Sequence, residues 1–235
     1  MRILIVPDVH GRDFWKKPVS EHSYDKVIFI GDYLDHYYGE SNDEHDLEIF
    51  KEIIDLKKSD PDTYVLLIGN HDCPYIWDEY GKALGNYWCR HDYDHHDEIH
   101  KLFNDNLNLF QIAWDCENKK YGKVLVTHAG VTNSYKRICG LEAKEINKYF
   151  SESSNGIPNV VGLAGVSYHR GGNLREGSPV WADVHEHIKS QVPQVFQIFG
   201  HTYSYKEVIM EHFAMLDTGN SCWILTDEGL EKYEN

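Results

Sequence analysis

The 235-residue chain carries 38 Asp and Glu against 23 Lys and Arg, a formal net charge of −15, which argues against a nucleic-acid partner, since that affinity rests on basic residues neutralising phosphates. With 41% hydrophobic and 26% charged residues it can bury a globular core, and no apolar run approaches the ~18 residues of a membrane span. Five scattered cysteines without a C-x-x-C pair, and no leader before the first strand, give the expectation of reduced thiols and a cytoplasmic setting.

Residues 3–6 read as a buried strand ending in Pro7-Asp8-Val9-His10-Gly11, followed by a loop with a short helix over 11–17. A second strand, 26–30, ends in Gly31-Asp32-Tyr33-Leu34-Asp35, and residues 37–44 read as an exposed loop. Leu47, Phe50 and Ile54, with Ile53 beside them, follow the period of an amphipathic helix over 43–58, which Pro61 stops. The third strand, 65–68, ends in Gly69-Asn70-His71-Asp72. Residues 73–108 change character, with Trp77, Tyr80, Tyr87, Trp88 and Tyr93 around His91, His95, His96 and His100. That segment is expected as a cap insertion over the strand ends, its histidines on a solvated face, with Ile99, Leu102 and Phe103 marking a short helix.

Residues 109–127 read as two strands joined by a turn at 118–122, running into His128-Ala129-Gly130. A helix is expected over 142–150, and the Gly-, Ser- and Asn-rich stretch 151–177 is expected as a mobile loop. Strands at 194–199, 207–210, 213–216 and 222–226 close the chain, the first ending in Gly200-His201-Thr202. The fold expected is a single α/β domain over 1–235, with two packed mixed β-sheets flanked by helices. Ligands gather outside the carboxyl ends of strands in such sheets. Five strand ends tipped with Asp, Asn or His therefore describe a metal site, whose carboxylate, amide and imidazole donors suit manganese, iron or zinc.

Taken in order, D-x-H, G-D-x-x-D, G-N-H-D, H-A-G and G-H-T, spread from residue 8 to residue 202, resemble the calcineurin-like metallophosphoesterase superfamily, most nearly its serine/threonine protein phosphatase branch and related bacterial and phage phosphatases. The resemblance implies two divalent metal ions, manganese foremost. Asp8 and His10 would hold the first, Asp32 would bridge both, and Asn70, His128 and His201 would complete the second. Two such cations, roughly 3.5–4 Å apart, share an activated hydroxide for in-line attack on phosphorus. His71 would be the general acid and Asp35 the carboxylate that orients it, with Asp72 in a supporting role.

Departures from that pattern matter. The protein phosphatase branch follows its second motif with Arg-Gly, where this chain has His36-Tyr37-Tyr38-Gly39. A phosphate-gripping arginine is therefore expected elsewhere, Arg170 first and Arg12 second. Trp181 is expected to pack. Phosphodiesterase branches carry G-H-x-H where this chain reads Gly200-His201-Thr202-Tyr203. The expected activity is hydrolysis of phosphate monoesters on a phosphorylated protein or small molecule. Alternatives are a dinucleoside polyphosphate hydrolase, a phosphodiesterase, or a non-catalytic binding scaffold, which would have no need of the full residue set.

Overall fold

The computed structural model describes residues 1–21, 23–37, 39, 41–77, 89–154 and 157–234. Strands β1 (Arg2–Val6), β2 (Lys26–Phe29), β3 (Tyr64–Leu67) and β4 (Phe110–Gln111) lie parallel, and an antiparallel pair, β12 (Trp223–Thr226) and β13 (Gly229–Lys232), extends that sheet beside β1. The second sheet runs in the order β10 (Val208–Ile209), β11 (Phe213–Met215), β9 (Phe196–Phe199), β6 (Gly122–Thr127), β5 (Ala113–Asn118). In it β6, β9 and β11 are parallel, while β5 and β10 are antiparallel edges. A third pairing is the two-residue hairpin of β7 (Ser153–Ser154) and β8 (Ile157–Pro158).

Side chains alternate across a strand, and both faces of the central strands are apolar, as parallel strands buried on two sides require. Ile3, Ile5, Ile28, Ile30 and Leu67 meet Val124, Val126, Ile198 and Leu216 between the sheets. Their neighbours Leu4, Val6, Val27, Phe29 and Leu66 face outward beneath helix α2 (Asp43–Ser59). That helix starts where the Asn42 side chain accepts the His45 N–H, has three acidic residues in its first turn and Lys57 and Lys58 in its last, as capping and the helix dipole favour. On the outer face of the second sheet, Tyr135 of α5 (Asn133–Cys139) and Ile146 and Phe150 of α6 (Ala143–Ser151) pack near Ala113 and Leu125. Helix α7 (Val184–Lys189) covers Phe199, Phe213 and Met215.

The structure refines several of these expectations. The described parts of the 73–108 segment do two things: residues 89–94 lie over the strand ends, with Arg90 on the Asp35 carbonyl, while the helices on either side are anchored in the core. Helix α3 (Cys73–Ile76) buries Tyr75, and α4 (His96–Asn106) sends Ile99 and Phe103 into the first core, where Phe103 stacks on Phe50 at 4.6 Å between ring centres. Burying two large side chains ties the segment to the core. Residues 78–88 of that segment lie outside the described residues. The described residues of the 151–177 stretch are folded: short 3₁₀ turns at Asn159–Ala164 and Tyr168–Arg170 place Leu163 and Val166 in the second core. The first short helix, α1 (Lys16–Glu21), begins later than the 11–17 segment. Residues 109–127 split between sheets, since β4 pairs with β3 and β5 with β6.

Candidate metal centre

Each motif sits where a parallel strand gives out. Among the described residues, the non-glycine residues with left-handed backbone are His10 (φ 45°), Asp32 (53°), Asp35 (64°) and His201 (65°). All four belong to the motifs singled out in the sequence. Such conformations cost energy for residues with a Cβ and persist where the surroundings over-determine them. Here cross-loop hydrogen bonds do so: the Val9 and His10 amides donate to the Asp32 carbonyl at 3.0 and 2.7 Å, and Gly11 N–H to Tyr33 O at 2.9 Å. Gly31 and Gly69 let the β2 and β3 ends meet, because a Cβ on Gly31 would lie 2.4 Å from the Gly69 nitrogen. One on Gly69 would lie 2.2 Å from Asp32 Oδ1.

The donors converge. Asn70 Oδ1 is 2.9 Å from His128 Nε2 and 2.7 Å from His201 Nδ1, and those two nitrogens are 3.2 Å apart. Asp32 Oδ2 lies 3.5 Å from His128 Nε2 on one side and 3.6 Å from His10 Nε2 on the other. The carboxylate therefore stands between two groups of donors. Asp8 flanks the second group, its oxygens accepting the His201 amide at 2.9 and 3.1 Å. Adjacent ligands around a cation held at 2.0–2.2 Å are about 3 Å apart, so this spacing matches a coordination shell.

Backbone partners sharpen the fit. His10 Nδ1 faces the Leu34 carbonyl at 2.8 Å and His128 Nδ1 the Ile30 carbonyl at 3.0 Å. Each therefore carries its proton on Nδ1 and turns a bare Nε2 lone pair into the site, the arrangement metal-ligating histidines adopt. The lone pair of His128 meets the amide oxygen of Asn70, and that of His10 meets a carboxylate. Acceptor facing acceptor is repulsive unless a cation lies between, and the residues thus fit divalent metals. Burial holds the imidazoles of His10, His128 and His201 neutral by lowering their pKa, and raises that of Asp32, which Asp8 and Asp72 raise further.

His71 hangs beside this group, its ring 5.0 Å from that of His10. Its amide donates to Asp32 Oδ1 at 2.9 Å, and its Nδ1 pairs with Asp35 Oδ2 at 2.8 Å. Burial, then the Arg90 charge, lowers the His71 pKa to about 3, while burial raises that of Asp35 well above the carboxylate range. Both shifts disfavour the charged forms, and one proton is shared in the bond between His71 Nδ1 and Asp35 Oδ2.

Of the expected phosphate-gripping residues, Arg170 is near the centre. Its Nε lies 2.8 Å from Asp183 Oδ2, and a terminal nitrogen donates to Thr202 Oγ1 at 2.6 Å. Arg12 donates to Val9 O at 3.0 Å and to Asp8 O at 2.7 Å, and so braces the first loop. Trp181 packs edge-on against His201, 5.8 Å between rings. The cap histidines do not share a solvated face: His96 is buried, and His91 Nε2 meets His96 Nδ1 at 2.9 Å.

Several site residues carried no signal that the sequence reading used. Arg90 donates to the Asp35 carbonyl at 3.1 and 2.6 Å, with its guanidinium 4.0 Å over the Tyr37 ring. It lines a 460 Å³ cleft with Asp35, His36 and Asp43, and nothing in the pattern around it marks it. Asp217 is buried near Asp8, with its carboxyl pushed up to about 8 by burial and by Asp8. It follows β11, so the same strand-then-Asp signature was available there. The Cys89 sulfur accepts from Asn70 Nδ2 at 3.5 Å, which turns the amide oxygen toward the imidazoles.

The calcineurin-like phosphoesterase family model matches residues 1–205. Among solved structures, the crystal structure of a metallophosphoesterase from Sphaerobacter thermophilus aligns with a TM-score of 0.45 at 15% identity, covering 100% of this chain and 88% of that one. No curated protein matches the chain.

Proposed function

The chain belongs to the calcineurin-like phosphoesterase family, a metal-dependent class of phosphoester hydrolases, and we propose that it is a two-metal phosphatase acting on phosphate monoesters. The observation that carries this reading is the Asp32 carboxylate standing between His10 on one side and His128 on the other, with Asn70 and His201 closing the second group. On this reading Asp8, His10 and Asp32 hold one ion, and Asp32, Asn70, His128 and His201 hold the other. Bound divalent cations, manganese foremost, supply Lewis-acid charge and lower the pKa of the attacking water.

The protein's own groups do the rest. The His71–Asp35 pair supplies the proton that the departing alkoxide needs. His71 Nε2–H passes to the leaving oxygen while the shared proton moves from Asp35 Oδ2 to His71 Nδ1, so no proton is created or lost. Arg90 and Arg170 offer charge-assisted donors to phosphate oxygens from two sides of the centre. The chain reads as an enzyme rather than a scaffold because the acid pair and the donor set are both complete.

Elemental analysis of metal-reconstituted protein should return close to two metals per chain, and Asp32→Asn should release both. His71→Asn should keep the metals and lower kcat for alkyl phosphates by about 10²–10⁴-fold, with a much smaller loss for nitrophenyl phosphate, whose leaving group needs little protonation. Equal losses on both esters would remove His71 from the acid role, and retention of both metals by Asp32→Asn would remove the bridge.

A further inference from the structure

Tyr75 lies four residues beyond His71, in the single turn of α3, and its ring is fully buried. Its hydroxyl oxygen accepts the Asp92 amide at 2.7 Å. Asp35 Oδ1 is 2.5 Å from that same oxygen. An amide can only donate, so the hydroxyl proton is left for Asp35. Oδ1 of Asp35 is thereby fixed as an acceptor, and Oδ2 is the oxygen left to share a proton with His71 Nδ1 at 2.8 Å. The tyrosine is itself held on every side. Its ring stacks on His91 at 4.3 Å and 15° between planes, and its carbonyl pairs with His100 Nδ1 at 2.7 Å. Arg90 pins the Asp35 carbonyl from the same segment.

Building on the acid role proposed for His71, we infer that Tyr75 is a positioning residue for the reaction: its hydroxyl orients Asp35 so that the carboxylate presents one oxygen to the general acid and fixes the imidazole's tautomer. Without it, the Asp35 carboxylate is free to rotate and to place its proton on either oxygen, and His71 loses a defined partner. The 89–95 segment joins this arrangement, because the Asp92 amide is what aims the hydroxyl. Tyr75 touches neither the metal donors nor the substrate position, so its removal should alter leaving-group protonation and leave metal binding alone.

The test is Tyr75→Phe beside His71→Asn, both with the metal content and melting temperature of each preparation measured. Tyr75→Phe should keep two metals and lower kcat for an alkyl phosphate by about 10- to 100-fold, part of the roughly 10²–10⁴-fold that general acid catalysis supplies, while nitrophenyl phosphate turnover changes less than threefold. In the zinc-loaded protein, the ¹⁵N shifts of the His71 ring should report one tautomer in the parent and an averaged pair in the variant. A parent-like alkyl rate in Tyr75→Phe, or an unchanged His71 tautomer, overturns the inference. If His71→Asn shows no dependence on the leaving group, the acid role itself fails, which is a separate outcome. Should Tyr75→Phe melt too early for kinetics, the His71 tautomer at reduced temperature decides the matter alone.

Discussion

Asp72 shows how much one carboxylate can organise without touching a substrate. It is fully buried and accepts three backbone amides, from Gly69 at 2.7 Å, Asp32 at 3.0 Å and Tyr33 at 3.1 Å. These amides lie in the loops after β2 and β3, so the carboxylate holds two strand ends at the spacing that the donors need. Asp72→Ala leaves three buried donors unsatisfied, at about 1–3 kcal/mol each. The expected outcome is a large fall in the melting temperature of metal-free protein, together with loss of metal retention. A variant that melts like the parent would show that the two loops hold each other without it. In sequence Asp72 is only the last letter of a motif. Its role becomes visible once β2 and β3 are known to be neighbours, which no local pattern records.

At the scale of elements, α7 carries a buried histidine that serves the fold. His187 Nε2 donates to the Ala129 carbonyl at 3.0 Å, and its ring packs 4.6 Å from that of Phe199. Burial lowers its pKa to about 4, against about 6.5 in an unfolded chain. The unfolded state therefore binds a proton that the folded state refuses between those two values. The contribution of neutral His187 is intact above pH 6.5 and is lost as pH falls toward 4, by about 3 kcal/mol over that span. Replacing it with a residue that does not titrate, His187→Gln, should flatten the acid side of the stability curve, even if the variant is less stable at pH 7. Urea unfolding in chelator from pH 7.5 to 4.5 measures this free of metal-linked protons, and parallel curves for parent and variant would refute it. Element by element, long apolar runs were readable, and α2 was predicted to within a residue at its C-terminal end. Short helices such as α5 and α7 were missed because six or seven residues carry too little periodicity to separate them from turns.

Across the whole molecule, the motif residues were legible because strand ends in a parallel sheet gather in space whatever their separation in sequence. Arg90 and Tyr75 were not, since they reach the centre through packing of segments whose local pattern looks ordinary. The global charge of −15 is likewise a poor guide to the centre, where Arg12, Arg90 and Arg170 all approach the loops that carry the donors. That local balance bears on the choice between monoesters and diesters. At the position where a second imidazole would add a donor beside the first metal, the chain has Tyr203, half exposed and turned toward Tyr205, with their rings 5.8 Å apart. On the proposed assignment the first ion has Asp8, His10 and Asp32 as its protein ligands, which leaves coordination positions for phosphate oxygens. A monoester dianion brings more charge and more free oxygens to that open pair of cations and to the arginines than a diester monoanion does, and local cations dominate the field at such a site. The alkoxide that a natural monoester expels is what the His71–Asp35 pair is placed to protonate. We therefore expect kcat/KM for p-nitrophenyl phosphate at least about tenfold above that for bis-p-nitrophenyl phosphate, a margin of about 1.4 kcal/mol in transition-state stabilisation. Both esters should be compared on one manganese-loaded preparation at one ionic strength. A preference for the diester would move the activity to phosphodiester hydrolysis, and Tyr203→His should then raise it further by supplying the missing imidazole.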